Sequence, residues 1–250
     1  MGDLTQLPLV RPAADLLRPL PLPRVTKLIG KAMGLAYRLT GKDRYDDFRL
    51  ERVRGVPLLV TPSVFNPKLP RTGAFLAAQI DSQLISDDAE VLDMGTGSGV
   101  CAVFAARYAR RVVAVDINPA AVRCTGINSM LNDLEHTIEV RHGDLFAPVA
   151  GERFDLILFN PPFLHGLPRD DRERAWRSID VAERFAAGVR DHLKPRGSAL
   201  VVLSSFGGAA VFLEEFSKHG FAISVLAERR FITERLAIFR LEPPRQRSAA

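Results

Sequence analysis

From residue 90 onward, short apolar runs alternate with stretches of helical periodicity, and this alternation limits the possible folds more than any other feature of the chain. A strand buried on both faces is apolar throughout, and a helix connects it to a parallel neighbour. Two strands with no helix between them must pair antiparallel or lie apart. We therefore predict an α/β fold with a doubly wound, mostly parallel, seven-stranded sheet. The predicted strands cover residues 90–94, 111–116, 137–141, 154–159, 198–204, 222–227 and 236–241.

The region before this alternation has a different pattern. Five prolines within residues 7–23 exclude a long helix there. Apolar residues at helical spacing predict one amphipathic helix over 25–36. Two short β-type runs, 48–54 and 56–61, are joined at Gly55 and predict a hairpin.

These patterns divide the chain into three parts. An N-terminal arm, helix and hairpin occupy residues 1–61, a main domain residues 62–242, and a C-terminal tail residues 243–250. The main domain begins with a predicted helix over 72–84, and Thr72 is its expected N-cap. Further helices are predicted after Gly99, after Pro119, from about 177 to 192, and near 209–219.

The composition is that of a soluble globular protein, with 250 residues, 47% hydrophobic and 25% charged. No apolar run approaches the ~20 residues of a membrane span, and no secretory signal opens the chain, so we expect a cytoplasmic protein without a membrane partner. Cys101 and Cys124 lie in helical patterns and are expected to be reduced, packed thiols. Neither they nor the five scattered histidines have a metal-ligand spacing, so no metal is predicted.

The net charge of +5 and the high isoelectric point, near 9.5, favour a polyanionic partner. A solvated basic face explains the excess equally well, so both interpretations stay open. The basic residues ahead of the main domain are Arg11, Arg18, Arg24, Lys27, Lys31, Arg38, Lys42 and Arg44.

A glycine-rich turn follows the first strand of the alternating region. Residues 93–99 read D-M-G-T-G-S-G, and glycines at these positions let the backbone turn tightly and approach a ligand closely. The spacing differs from that of a G-x-G-x-x-G dinucleotide loop. Asp93, at the head of the loop, suits a cationic ligand group better than a phosphate.

Two further acids end the next strands. Asp116 stands where an acidic residue in such folds accepts hydrogen bonds from ribose hydroxyls, and Asp144 could accept from an exocyclic amine of adenine. Each acid alone is typical of a turn or an N-cap. Three acids at the carboxyl ends of successive parallel strands, together with the glycine loop, predict a ligand site at that edge of the sheet.

Residues 160–163, Asn-Pro-Pro-Phe, leave the apolar run 154–159 directly. The two prolines remove two backbone donors and stiffen the chain, so a free carbonyl and an amide side chain are presented together. Both can accept hydrogen bonds from one NH2 group, and the aromatic ring can stack on the plane that carries it. The stretch therefore predicts an amine-binding site.

In this order, the motifs resemble those of class I S-adenosylmethionine-dependent methyltransferases, and more narrowly the methyltransferase small domain group. The resemblance spans about residues 60–241 and implies a Rossmann-like methyltransferase fold with S-adenosyl-L-methionine as cofactor. The motifs that carry it are residues 91–99, residues 116–119, Asn128 and Asn132, Gly143 and Asp144, and residues 160–163.

The resemblance also implies roles for individual residues. Asp93 and the glycine loop would hold the methionyl part of the cofactor, Asp116 the ribose, and Asp144 the adenine. The cofactor-binding set implied in this way is Asp93, Gly95, Thr96, Gly97, Gly99, Asp116, Ile117, Asp144, Leu145 and Asn160. The catalytic set is Asn160, Pro161 and Phe163.

Two branches of the family share this motif. HemK-like enzymes methylate a glutamine amide in release factors, usually with tyrosine in the last motif position and an acid ahead of the first strand, where this chain reads L-P-R-T-G at residues 69–73. RNA guanine methyltransferases often carry Asn-Pro-Pro-Phe followed by histidine, and His165 stands one position later than that.

An amide or aromatic amine is a poor nucleophile because its lone pair is delocalised. If Asn160 Oδ1 and the Pro161 carbonyl accept the two hydrogens of the amine, electron density returns to its nitrogen. The nitrogen can then displace the methyl group from the cofactor sulfonium directly, and no covalent enzyme intermediate is needed. The sequence thus predicts methylation of a planar nitrogen in a macromolecule, with RNA favoured. Protein glutamine, a small metabolite, and a cofactor-binding protein without chemistry are the alternatives.

Overall fold

The computed structural model describes residues 47–67, 71–162, 164–165, 177–205, 208–231 and 234–244. The proline-rich segment and the amphipathic helix predicted over residues 7–36 lie outside this part of the chain, as do Phe163 and most of the C-terminal tail. The three-part division of the chain stays a prediction.

The elements follow the predicted order. The strands are β1 Arg49–Val53, β2 Val56–Val60, β3 Glu90–Met94, β4 Arg111–Asp116, β5 Ile138–His142, β6 Phe154–Phe159, β7 Leu164–His165, β8 Arg177–Ser178, β9 Leu193–Ser204, β10 Ala222–Arg230 and β11 Arg235–Glu242. The α-helices are α1 Thr72–Ala77, α2 Val100–Ala105, α3 Pro119–Leu131, α4 Val181–Val189 and α5 Ala209–Lys218.

The main sheet has seven strands in the order β10-β11-β9-β6-β3-β4-β5. Five neighbouring strands, β9 to β5, are parallel, and β11 pairs antiparallel with both β9 and β10. β5 and β6, which have only a short 3-10 turn between them, lie apart with β3 and β4 between them. The predicted fold class is confirmed. Since the chain turns back across β3 to form β6, the carboxyl end of β3 lies at a topological switch point.

Side chains that alternate along the strands supply two separate cores. Val91 packs with α1 and α2 on one face of the sheet, whereas Leu92 packs with α4 and α5 on the other, and both are fully buried. Burial on both faces accounts for the continuous apolar runs of inner strands such as β3, β4 and β6.

Several predicted boundaries are wrong because side chains compete for backbone groups. The helix predicted over 72–84 ends at Ala77, and the Asp81 carboxylate accepts from Gln83 N and Leu84 N, which starts a separate turn. Thr72 is not the N-cap: Arg71 precedes the helix in a left-handed conformation without a side-chain cap.

The helix predicted from about residue 177 also begins later. The Ser178 hydroxyl accepts from Val181 N at 3.2 Å, so α4 begins at Val181, and residues 177–178 form β8 instead. β9 in turn begins at Leu193 rather than near 198, because Leu193 pairs with Phe154 across the sheet despite the Pro-Arg-Gly sequence that follows it.

The predicted hairpin is confirmed, with Arg54 and Gly55 at positive φ in a two-residue turn between β1 and β2. Asn128 of α3 joins this hairpin to the glycine loop. Its Oδ1 accepts from Leu59 N at 2.7 Å, and its Nδ2 donates to Leu59 O at 2.7 Å and Ser98 O at 2.8 Å. The side chain is fully buried. One amide therefore ties three parts of the fold together.

Replacement of Asn128 by Ala should destabilise the protein by roughly 3 kcal/mol or more, since three backbone groups lose a buried partner. Urea denaturation measures the effect. Arg123→Ala, on an exposed position of the same helix, is the matched control and should change stability by less than about 0.5 kcal/mol. A loss equal to that of the control would contradict the anchoring role of Asn128.

Candidate cofactor and methyl-acceptor site

A cavity of about 360 Å³ opens at the carboxyl ends of β3, β4 and β6. Its volume lies within the range of ligand pockets, roughly 300–1,000 Å³. Eight of the predicted site residues line it: Gly95, Thr96, Gly97, Asp116, Ile117, Asp144, Leu145 and Asn160. The structure therefore brings together motifs that lie up to 65 residues apart in the sequence.

The glycine loop turns because three glycines have positive φ, 64° at Gly95, 58° at Gly97 and 78° at Gly99. Gly99 is also required by packing, since a Cβ there would lie 2.9 Å from Thr125 Cγ2. Gly99 is not among the residues that line the cavity. It allows α3 to approach the loop, whereas Gly95 and Gly97 face the ligand space.

Asp93 lies beneath the loop rather than in the cavity wall. Its Oδ2 accepts a hydrogen bond from Thr96 Oγ1 at 2.6 Å and another from Ala102 N at 3.0 Å. Burial raises the pKa of Asp93 to about 7, although these two hydrogen bonds lower it. In this structure the carboxyl group joins the loop to the first turn of α2, and it would support a ligand through Thr96.

Asp116 lines the cavity at the end of β4. Its Oδ2 accepts from Gly97 N and its Oδ1 from Asn118 N, both at 2.8 Å. Burial raises the pKa of Asp116, and its backbone hydrogen bonds oppose that shift. A carboxylate has about four acceptor sites, so both oxygens can still accept from a pair of ribose hydroxyls.

Asp144 and Leu145 follow β5 and also line the cavity. Leu145 has a φ of 46°, which turns the chain sharply after Asp144. Asp144 Oδ2 lies 2.5 Å from Nη2 of Arg184, a residue of α4 that also lines the cavity.

Asn160 follows β6 and lines the cavity together with Pro162, whereas Pro161 is buried behind them. A Cβ on Gly73, in the first turn of α1, would lie 3.8 Å from Asn160 Nδ2 and 3.5 Å from Pro67 Cβ. Residues that precede the main sheet in the sequence therefore pack closely against the Asn-Pro-Pro motif. Phe163 and the side chain of His165 lie outside the described part of the structure.

Sequence reasoning missed two segments of the wall. The upstream segment is Val64, Phe65, Pro67 and Gly73, and the downstream segment is Ser178, Ile179, Asp180, Val181 and Arg184. One signal for the upstream segment was available. Glycine is a poor helix former, so Gly73 at the start of a predicted helix indicated that another part of the chain approaches its backbone closely. The downstream segment carries no motif. Among the remaining wall residues, Met94, Ser98, Asn118, Gly143 and Pro162 lie within the motifs quoted from the sequence, and Val100, Val115, Ala121 and Phe159 stand close to those motifs in the chain.

The model of the methyltransferase small domain family matches residues 56–228 of the chain. The chain belongs to this family. It carries a class I S-adenosylmethionine-dependent methyltransferase domain, and the predicted family and its cofactor, S-adenosylmethionine, are confirmed. No helix in the described part of the chain is long and apolar enough to span a membrane.

Two relatives illustrate the range of the family. The chain is 32% identical over 184 residues to the release factor glutamine methyltransferase of Koribacter versatilis, an alignment that covers 62% of this chain and 65% of the relative. It is 33% identical over 137 residues to the ribosomal RNA small subunit methyltransferase C of Alcanivorax borkumensis, which covers 54% of this chain and 39% of the relative. The chain thus matches about two thirds or less of these two proteins, both of which are named for macromolecular substrates.

Among solved structures, the 16S rRNA N2 G1207 methyltransferase of T. thermophilus shares the fold. The TM-score is 0.59 with 23% identity, over 79% of this chain and 50% of that chain.

The Asp93 carboxyl group should make stability depend on pH. Because the pKa of Asp93 is raised from 3.8 to about 7, the native state keeps a proton that the unfolded state releases, so stability should fall as pH rises through this interval. In Asp93→Asn this contribution is absent, and the amide oxygen can still accept from Ala102 N. Between about pH 4.5 and 7.5, the free energy of unfolding should fall by roughly 3 kcal/mol more in the native protein than in Asp93→Asn.

Urea denaturation over this pH range measures the difference, and Asp87→Asn, an exposed site, is the control. Asp116 also raises the pKa of Asp93, so Asp93→Asn removes the interaction between the two carboxyl groups together with the titration of Asp93. Parallel stability curves for the native protein and Asp93→Asn would contradict the assignment.

Replacement of Asp116 by Ala should weaken the binding of S-adenosylhomocysteine by about 10- to 100-fold, because charge-assisted hydrogen bonds to the ribose are lost. Calorimetric titration measures the affinity. The exposed Asp87→Ala serves as control. An unchanged affinity in Asp116→Ala would count against a ribose contact.

Proposed function

We propose that the protein transfers a methyl group from S-adenosylmethionine to a planar nitrogen of a macromolecule, with an exocyclic amine of RNA as the first candidate. The observation that carries this proposal is the position of Asn160, whose side chain lines the same cavity as the glycine loop, Asp116 and Asp144.

The residues present fit the cofactor. Gly95 and Gly97 leave the loop open to close approach, and Asp116 holds the loop through Gly97 N while keeping acceptor capacity for ribose hydroxyls. Asp144, which also lines the cavity, is proposed to offer a carboxylate to the adenine amine. The bound cofactor supplies an electrophilic methyl group on a sulfonium.

On the acceptor side, Asn160 Oδ1 and the Pro161 carbonyl are proposed to accept the two hydrogens of one NH2 group. Two acceptors on the same amine orient its lone pair and return electron density to nitrogen. The stiff Pro161-Pro162 segment fixes both acceptors before substrate binds, so little entropy is lost on binding. Phe163 is proposed to stack on the plane of the target group.

A group of arginines beside this site supports RNA as substrate. Arg71 and Arg229 are exposed, and their Cζ atoms lie 5.2 Å and 5.9 Å from the ring centroid of Phe231. β10 runs in the same direction as β6, so Phe231, which follows β10, lies at the edge of the sheet where the cavity opens. Arg71 stands two residues before Gly73 of the cavity wall. Guanidinium groups around an aromatic ring suit phosphate and base contacts.

A glutamine side chain in a protein is the second candidate. It presents the same planar NH2 group to Asn160, and the relative from K. versatilis is named for this chemistry. HemK-like proteins usually carry an acid in the segment that corresponds to residues 69–73, whereas this chain carries Arg71 and no acid there. A cationic side chain at this place favours the RNA candidate.

Replacement of Asn160 by Ala should reduce methyl transfer by at least about 100-fold, because the acceptor that orients the amine is removed. S-adenosylhomocysteine should still bind within about threefold of the native affinity, since the glycine loop and acids are untouched. Asn132→Ala, which removes an amide that bonds to Pro57 O outside the cavity, controls for general destabilisation. Retained turnover in purified Asn160→Ala would refute the acceptor role.

The substrate is tested by transfer of tritiated methyl groups to RNA, ribosomal subunits and protein fractions, followed by digestion with ribonuclease or protease. The RNA candidate is supported if only ribonuclease releases the label and if the protein binds RNA more weakly as the salt concentration rises. Label released only by protease supports glutamine and contradicts the RNA proposal.

A further inference from the structure

Helix α4 places a guanidinium in the wall of the cofactor cavity, beside the acid expected to meet adenine. Arg184 Nη2 lies 2.5 Å from Asp144 Oδ2, and Arg184 Nη1 lies 3.8 Å from Oδ2 of Asp180, the N-cap of the helix. All three residues line the cavity. The motifs that carry the family resemblance contain neither Arg184 nor Asp180.

The position of α4 against Asp144 is fixed by close packing. Phe146, two residues after Asp144, packs against Gly188 so tightly that a Cβ on Gly188 would lie 2.6 Å from Phe146 Cδ2. The ring of Phe146 also stacks on Phe185, with ring centroids 5.4 Å apart. Phe185 adjoins Arg184 in the helix. The packing of Phe146 therefore sets the register that brings the guanidinium to Asp144.

The ion pair leaves part of the carboxylate available. Oδ2 receives the guanidinium, whereas within the described residues no hydrogen-bond donor reaches Oδ1. A carboxylate held at one oxygen cannot rotate freely, so its second oxygen is pre-oriented to accept from one amine. A carboxylate offers acceptors and no donor, so it disfavours a ring that presents an oxygen in place of the amine.

We infer that Arg184 is a positioning residue that determines specificity for adenine, by holding Asp144 so that its free oxygen receives the exocyclic amine. This inference rests on the proposed function, because it places the adenine of S-adenosylmethionine beside Asp144. It adds the residue through which the chain distinguishes an aminopurine from other purines.

The test compares two ligands, S-adenosylhomocysteine and its analogue with purine in place of adenine, which lacks only the amine. Calorimetry gives the affinity of both for the native protein, for Arg184→Met, which keeps most of the aliphatic stem, and for Arg184→Lys, which keeps the charge without the planar fork. Arg123→Met, at an exposed site on α3 away from the cavity, is the matched control.

The native protein and Arg123→Met should prefer S-adenosylhomocysteine by about tenfold or more, as expected for a hydrogen bond to a charged group. In Arg184→Met the preference should fall to within about threefold, because only the ligand with the amine loses affinity. Arg184→Lys should restore part of it. On an Asp144→Ala background, Arg184→Met should have no further effect on the preference, since the two residues act as one unit.

Three results would overturn the role of Arg184. An equal loss of affinity for both ligands would show that Arg184 only supports the wall, and an unchanged preference would show that it does not act on Asp144. Tighter binding of S-adenosylhomocysteine by Arg184→Met would show that the guanidinium obstructs the acid. Failure of the native protein to bind S-adenosylhomocysteine at all would instead refute the cofactor assignment on which the inference rests.

Discussion

The parallel pairing of β3 with β4 on one side and β6 on the other is the constraint on which the site depends. Because the chain passes to opposite sides of β3, the loops after these strands diverge and leave a crevice between them. The glycine loop, Asp116 and Asn160 each follow one of the three strands. Strand order therefore brings them together, and the hydrogen bond from Gly97 N to Asp116 joins two of them directly.

Asp93 and Asp116 differ in burial and therefore in the contacts that they make. Asp93, at 3% exposure, bonds to Thr96 and Ala102 and secures the loop from below. Asp116, partly exposed, bonds to Gly97 N and faces the cavity. Both acids bond to the glycine loop, so the loop is held from two sides before any ligand binds. Such preorganisation lowers the entropic cost of binding.

The inner strands were predictable because burial on both faces leaves a continuous apolar run, whereas the edge strands β5 and β10 carry exposed residues. All seven strands of the main sheet appear in the predicted order along the chain. Helix boundaries were less predictable, since they depend on single hydrogen bonds such as those from Leu84 N to Asp81 and from Val181 N to Ser178. Eight predicted site residues line the cavity, and their individual roles remain predictions. The N-cap predicted at Thr72 was wrong because Arg71 occupies that position, in a left-handed conformation and without a side-chain cap.

The sequence by itself determined the fold class, the family and the glycine loop with its acids, because local patterns of apolar residues, glycine, proline and acids specify these features. Only the tertiary structure decided what completes the cavity. Gly73 approaches Asn160, and Arg184 reaches Asp144, across 87 and 40 residues of chain. No local pattern specifies such contacts, since the register of packed elements, here set by Phe146 against Gly188, fixes which distant side chains meet.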